Sequence, residues 1–95
     1  MSAPALSLIL PAYRAEQFIE ENVAVVLDVL GSRDRDFELL VVCDGAEDAT
    51  ADRARAIDDP RVQVIGYPVN QGKGFAICVG LAHARRAEAL AVPRH

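Results

Sequence analysis

Three short stretches of the chain carry residues whose types and spacing suit the binding of a nucleotide. Pro11-Ala12-Tyr13 puts an aromatic ring on a rigid turn, where it can stack on a flat base. Asp44, followed by Gly45, supplies a carboxylate able to accept an N–H from a pyrimidine or guanine ring. Asn70-Gln71-Gly72-Lys73-Gly74 offers backbone N–H groups, one ammonium and a helix start whose dipole favours an anion such as a diphosphate. Each stretch also has a plain structural reading. Tyr13 can cap a sheet, Asp-Gly occurs in many turns without ligands, and Lys73, the only lysine, can be a solvated side chain. The Gly72-Lys73-Gly74 element is not a P-loop, because the first glycine and the Ser or Thr of G-x-x-x-x-G-K-[ST] are missing. The chemistry therefore depends on whether the fold brings the three together.

The intervening sequence supplies the elements that would do so. Leu6 to Leu10 is a nearly unbroken apolar run that suits a strand buried on both faces, stopped by Pro11. From Glu16 the pattern becomes helical, with Ile19, Val23, Val26 or Leu27, and Leu30 on one side, acidic residues in the first half and Gly31 as the stop. Phe37 to Cys43 is a second strand, and Thr50 to Asp58 a short helix capped by Asp48 or Thr50. Arg61 to Gly66 alternates as an edge strand would. A third helix is predicted over Phe75 to Arg86 and a fourth strand over Ala89 to Val92, which Pro93 cuts short. Regular alternation of strand and helix gives an α/β class with a mostly parallel sheet of three to four strands and right-handed crossovers. Sheets of this kind bind ligands at the carboxyl ends of their strands, which is where the three stretches fall.

Composition narrows the partners. The chain has 95 residues, enough for one domain, with 52% hydrophobic and 25% charged residues. Its net charge of −4 repels phosphodiester backbones, so nucleic acid is not an expected partner, nor is a membrane surface through a polybasic patch. No basic-then-apolar signal opens the chain and no apolar run approaches membrane-spanning length, so a cytoplasmic location is expected. Cys43 and Cys78 lie in apolar stretches as core residues, without zinc spacing, and His83 faces solvent. Arg85 and Arg86 suit the end of the third helix.

The run Leu6-Ser7-Leu8-Ile9-Leu10-Pro11-Ala12-Tyr13, then Leu40-Val41-Val42-Cys43-Asp44-Gly45-Ala46-Glu47-Asp48-Ala49-Thr50, then Asn70-Gln71-Gly72-Lys73-Gly74-Phe75-Ala76, resembles the N-terminal half of a family 2 glycosyltransferase. Within that family it is most similar to the dolichyl-phosphate and polyprenyl-phosphate sugar transferases. The resemblance implies half of a GT-A fold, a Rossmann-like three-layer arrangement with about three helices. It also implies binding of a UDP- or GDP-sugar for inverting transfer to an acceptor such as a polyprenyl phosphate. Carried over by position, Pro11 and Tyr13 would line the base pocket and Asp44 would read the base. Lys73 would face the diphosphate, and Glu16 would match an acidic residue that in the family stands one position closer to the tyrosine.

The departures from the family pattern are specific. Cys43-Asp44-Gly45-Ala46 stands where Asp-Asp-Gly-Ser is usual, and Arg14 follows Tyr13 where asparagine is usual. The family's Asp-x-Asp, which holds Mg2+ or Mn2+ in full-length members, is replaced after the fourth strand by Pro93-Arg94-His95. No metal site or catalytic base is therefore expected in this chain, since a hard divalent cation needs several oxygen ligands. The expectation is a single domain over residues 1–95, a truncated donor-binding part that is inactive as it stands. The alternative is a non-catalytic nucleotide-binding or scaffold module. An incomplete fourth strand would leave a sheet edge open to self-association.

Overall fold

The computed structural model describes residues 6–32, 36–84 and 88–91. Its elements are β1 (Leu6–Ala12), α1 (Ile19–Gly31), β2 (Phe37–Asp44), α2 (Thr50–Arg55), β3 (Val62–Tyr67), α3 (Lys73–His83) and β4 (Glu88–Ala91). All strand pairs are parallel, in the order β3-β2-β1-β4. The sequence expectation of an α/β, parallel sheet with β3 at an edge holds, and β1 lies inside the sheet between β2 and β4.

Because side chains alternate along a strand, the apolar runs of β1 and β2 feed two cores at once. Leu6, Leu8, Leu10 and Ala12 join Phe37, Leu39, Val41 and Cys43 against Ile19 and Val23 of α1 and Ala54 of α2. On the other face Ile9, Leu40 and Val42 meet Ala76 of α3. The result is three layers, helix, sheet, helix. The chain steps from β1 through β2 to β3 and then returns across the sheet to β4, so strand order reverses beside β1. That reversal leaves a crevice at the carboxyl end of β1.

Several boundaries differ from those expected. β1 runs through Pro11, which pairs with Val42, to Ala12. Among the described residues β1 has only β2 as a neighbour beyond Ile9, which is where a residue without an N–H is tolerated in a strand. α1 begins at Ile19, three residues after Glu16, because Phe18 and Ile19 both donate to the Ala15 carbonyl and close a turn first. α2 ends at Arg55, short of Asp58, and α3 starts at Lys73, earlier than Phe75. The expected end of α3 at Arg85 and Arg86 lies outside the described residues.

Cys78 is exposed, not part of the core. The sheet-facing positions of α3 are Ala76, Val79 and Gly80, at helical spacing, and Cys78 falls between them on the outer side with Phe75 and Leu81. Cys43 is buried as expected, and burial pushes its thiol up to about 11 against the opposing pull of Arg55. It packs as a neutral thiol. His83 is exposed, as expected, with Nδ1 at 2.9 Å from the Val79 carbonyl.

α3 sits very close to β1 at Gly80. A methyl group there would fall 2.5 Å from Cγ2 and 3.0 Å from Cγ1 of Ile9, a residue with no exposure and no room to retreat. Overpacking of this kind costs about 1–3 kcal/mol, more than the roughly 1 kcal/mol that alanine adds to helix propensity. Gly80→Ala is therefore expected to lower the urea midpoint, with a larger loss for Gly80→Val. An unchanged midpoint for both would show that Ile9 yields.

Candidate functional site

The β1–α1 connection turns sharply after Tyr13. Arg14 has φ +50°, the left-handed region in which L residues other than Asn, Asp and Gly are strained. Tyr13, just before it, is 47% exposed and lines the crevice. The turn is held from the neighbouring loop: the Ala15 N–H donates to Thr50 Oγ1 at 2.8 Å and the Glu16 N–H to Asp48 Oδ2 at 3.4 Å.

Neither Asp48 nor Thr50 is the N-cap of α2, contrary to expectation. The residue at the cap is Ala49, whose side chain makes no cap bond. Asp48 Oδ1 instead accepts the Thr50 N–H at 2.9 Å and the Thr50 hydroxyl at 2.5 Å. Burial disfavours the charge on Asp48. The bonds from Thr50 and Glu16, with the nearby Arg14 charge, outweigh that and hold its carboxyl below the usual range. These two residues thus join the first loop to the second.

A second carboxylate joins the second loop to the third. Asp44, at the end of β2 and 3% exposed, accepts Asn70 Nδ2 at 2.7 Å and the Gly72 N–H at 2.9 Å on Oδ2, and the Gln71 N–H at 2.7 Å on Oδ1. The loop it holds depends on Gly72 at φ +98°. Gly45, at φ +102°, lies so close that an added methyl would stand 3.3 Å from the Asn70 nitrogen. Tyr67, the register partner of Asp44, packs edge-on against Phe75 with ring centroids 5.3 Å apart. Its buried hydroxyl has no hydrogen-bond partner among the described residues. Burial first, and the adjacent Asp44 carboxylate second, raise its pKa well above the ordinary phenol.

The three loops enclose a cleft of about 380 Å3 at the carboxyl end of β1. Pro11, Tyr13, Asp44 and Lys73 all line it. Glu16 does not; it is drawn toward Asp48 through its backbone. The sequence reading had the backbone N–H groups of residues 70–74 facing a diphosphate, but those of Gln71 and Gly72 point at Asp44. The first N–H groups of α3, from Lys73 on, have no carbonyl ahead of them in the helix. Lys73 adds its charge at the helix end where a cation is unfavourable, so an anion there would relieve both.

Two lining residues escaped the sequence reading. Asn70 was seen only as part of a loop, and its bond to a residue 26 positions earlier leaves no local trace. Asn22 did leave one. It occupies an inward position of α1, between Ile19 and Val23, where the helical period calls for an apolar side chain. Among the described residues no group of three or more His, Cys, Asp or Glu side chains is placed to hold a metal ion. The one carboxylate among the residues lining the cleft, Asp44, already accepts three donors, so the described lining does not supply the several oxygen ligands of a hard divalent cation.

With this geometry in view, comparison with known proteins is decisive. Residues 7–90 match the family model described as Glycosyl transferase family 2. The chain belongs to glycosyl transferase family 2. It is 37% identical over 87 residues to a dolichyl-phosphate beta-glucosyltransferase of Trichomonas vaginalis, covering 84% of this chain and 27% of that protein. It is 34% identical over 89 residues to the dolichyl-phosphate beta-glucosyltransferase of Drosophila melanogaster, covering 84% and 27%. The solved mannosyltransferase PcManGT of Pyrobaculum calidifontis, in complex with GDP-Man and Mn2+, superposes with a TM-score of 0.68 at 26% identity, covering 88% of this chain and 25% of that one. The GT-A fold expected from the resemblance is thus shown. The chain spans about a quarter of the length of these relatives.

Arg14 holds a left-handed backbone conformation that is strained for arginine. Asparagine adopts this conformation with less strain. Arg14→Asn is expected to raise stability by up to about 1 kcal/mol, measured as a higher melting temperature. A fall would mean that the Arg14 side chain supplies more to the loop than its backbone costs.

Proposed function

We propose that this glycosyl transferase family 2 chain is the donor-binding part of an inverting glycosyltransferase, and that its cleft takes a nucleoside diphosphate sugar. The observation that carries this reading is the convergence of Pro11, Tyr13, Asp44 and Lys73, from three loops far apart in sequence, on one cleft. Tyr13 offers a ring face for a uracil or guanine base. Lys73 and the start of α3 offer positive potential for the diphosphate. A volume of about 380 Å3 is in the range of small-molecule sites. PcManGT was solved with GDP-Man, which supports a nucleotide-sugar donor. Relatives named for dolichyl phosphate support a polyprenyl phosphate acceptor. No helix of the described residues is long and apolar enough to cross a membrane.

Residues 1–95 act in this reading as one donor-binding domain. Calorimetric titration with UDP and with GDP tests it. The expected result is binding of at least one, weakened about tenfold by Lys73→Ala, in line with loss of one charge-assisted bond. No heat with either nucleotide at millimolar concentration would sink the reading.

The sheet edge bears on handling. β4 pairs with only the first four residues of β1, Leu6 to Ile9, so the carboxyl end of β1 lacks a second neighbour among the described residues. Self-association through this edge is expected, visible as concentration-dependent mass in sedimentation equilibrium; a monomer at all concentrations would contradict it.

A further inference from the structure

Tyr67 carries a buried polar group that the donor-binding reading leaves without a task. It ends β3 as the register partner of Asp44, so the two side chains leave the sheet on the same face. Its ring meets Phe75 edge-on, with centroids 5.3 Å apart and planes at 89°, and this packing fixes where the hydroxyl lies. That hydroxyl is shut off from solvent and has no hydrogen-bond partner among the described residues. Phenylalanine would fill the same space without the cost of a buried, unpaired hydroxyl, so packing alone does not account for a tyrosine. The group it can serve is Asp44. Burial first, then the hydrogen-bonding reach and the charge of the Asp44 carboxylate, hold the phenol protonated, so it remains a donor.

Asp44 itself lines the cleft, while the donors that hold it, Asn70 Nδ2 and the N–H groups of Gln71 and Gly72, all come from the loop before α3. None of them belongs to the sheet. Tyr67 does, on the strand beside β2, and it approaches the carboxylate from there. Hydrogen bonds at functional sites are often misaligned before a ligand binds and tighten in the complex. We propose that Tyr67 is a positioning residue for base recognition: its hydroxyl donates to the Asp44 carboxylate once a nucleotide base engages Asp44, and so sets the edge that Asp44 presents to the cleft. This rests on the donor-binding reading above, with Asp44 facing the base. Tyr67 does not line the cleft and acts through Asp44 alone.

The intact 95-residue chain and its Tyr67→Phe variant are titrated calorimetrically with UDP, GDP and inorganic pyrophosphate. Tyr67→Phe keeps the ring on Phe75 and removes one oxygen. The expected result is about tenfold weaker binding of the preferred nucleotide, the loss of one charge-assisted bond. Pyrophosphate, which has no base, is not weakened, and the melting temperature of the free variant does not fall. A second readout needs no substitution in the protein titrated. With 13C at tyrosine Cζ, the resonance that Tyr67→Phe deletes from the spectrum shifts when nucleotide is added to the unsubstituted chain, because the hydroxyl has gained its acceptor. Unchanged nucleotide affinity in Tyr67→Phe, an equal loss for pyrophosphate, or a Tyr67 resonance that nucleotide leaves in place overturns the proposal while donor binding stands. Absence of nucleotide binding by the unsubstituted chain overturns both.

Discussion

The cleft exists because loops that leave adjacent strands are bonded to one another, and the loop after β2 is the common member. Asp44 at its start accepts three donors from the loop before α3, while Asp48 and Thr50 at its end accept two backbone donors from the loop after β1. Backbone N–H groups in such loops have no ladder to satisfy them. Carboxylates and a hydroxyl standing at the ends of β2 and α2 take that role, and the bonds to ionised acceptors are stronger than neutral ones. The sheet supplies the fixed base. β2 is buried along its whole length, so Asp44 emerges from a rigid strand.

This arrangement separates two kinds of surface within a small volume. One side of the cleft is apolar, from Leu10 and Ile19, and opens beside an exposed tyrosine. The other has the exposed ammonium of Lys73 and the start of a helix. A nucleoside diphosphate has the same division, a flat base at one end and a doubly anionic group at the other. Membership of glycosyl transferase family 2 agrees with that correspondence, although the chain covers about a quarter of its relatives.

Much of this was legible before any coordinates. The unbroken apolar runs of β1 and β2 announced strands covered on both faces, and Ile19, Val23 and Leu30 announced the inner side of α1. Pro11, Tyr13, Asp44 and Lys73 could be named because each ends a strand or opens a helix, where parallel sheets place their ligands. What sequence could not supply was the partner of each polar group. The bond between Asp44 and Asn70 and that between Ala15 and Thr50 span 26 and 35 positions, and nothing local encodes them. Glu16 was placed by counting from Tyr13, whereas its position follows from a left-handed residue between them. Cys78 was assigned by the apolar character of its neighbours, when helical phase decides which side it faces.

The tight seat of Gly80 on Ile9 has a reach beyond the core. Lys73 and Gly80 belong to one helix, seven residues or about 10 Å apart along its axis. A rod held that firmly near one end carries any tilt at its pivot to the other. Ile9, packed against Gly80 near the far end of α3, therefore helps to fix the direction in which the start of the helix points.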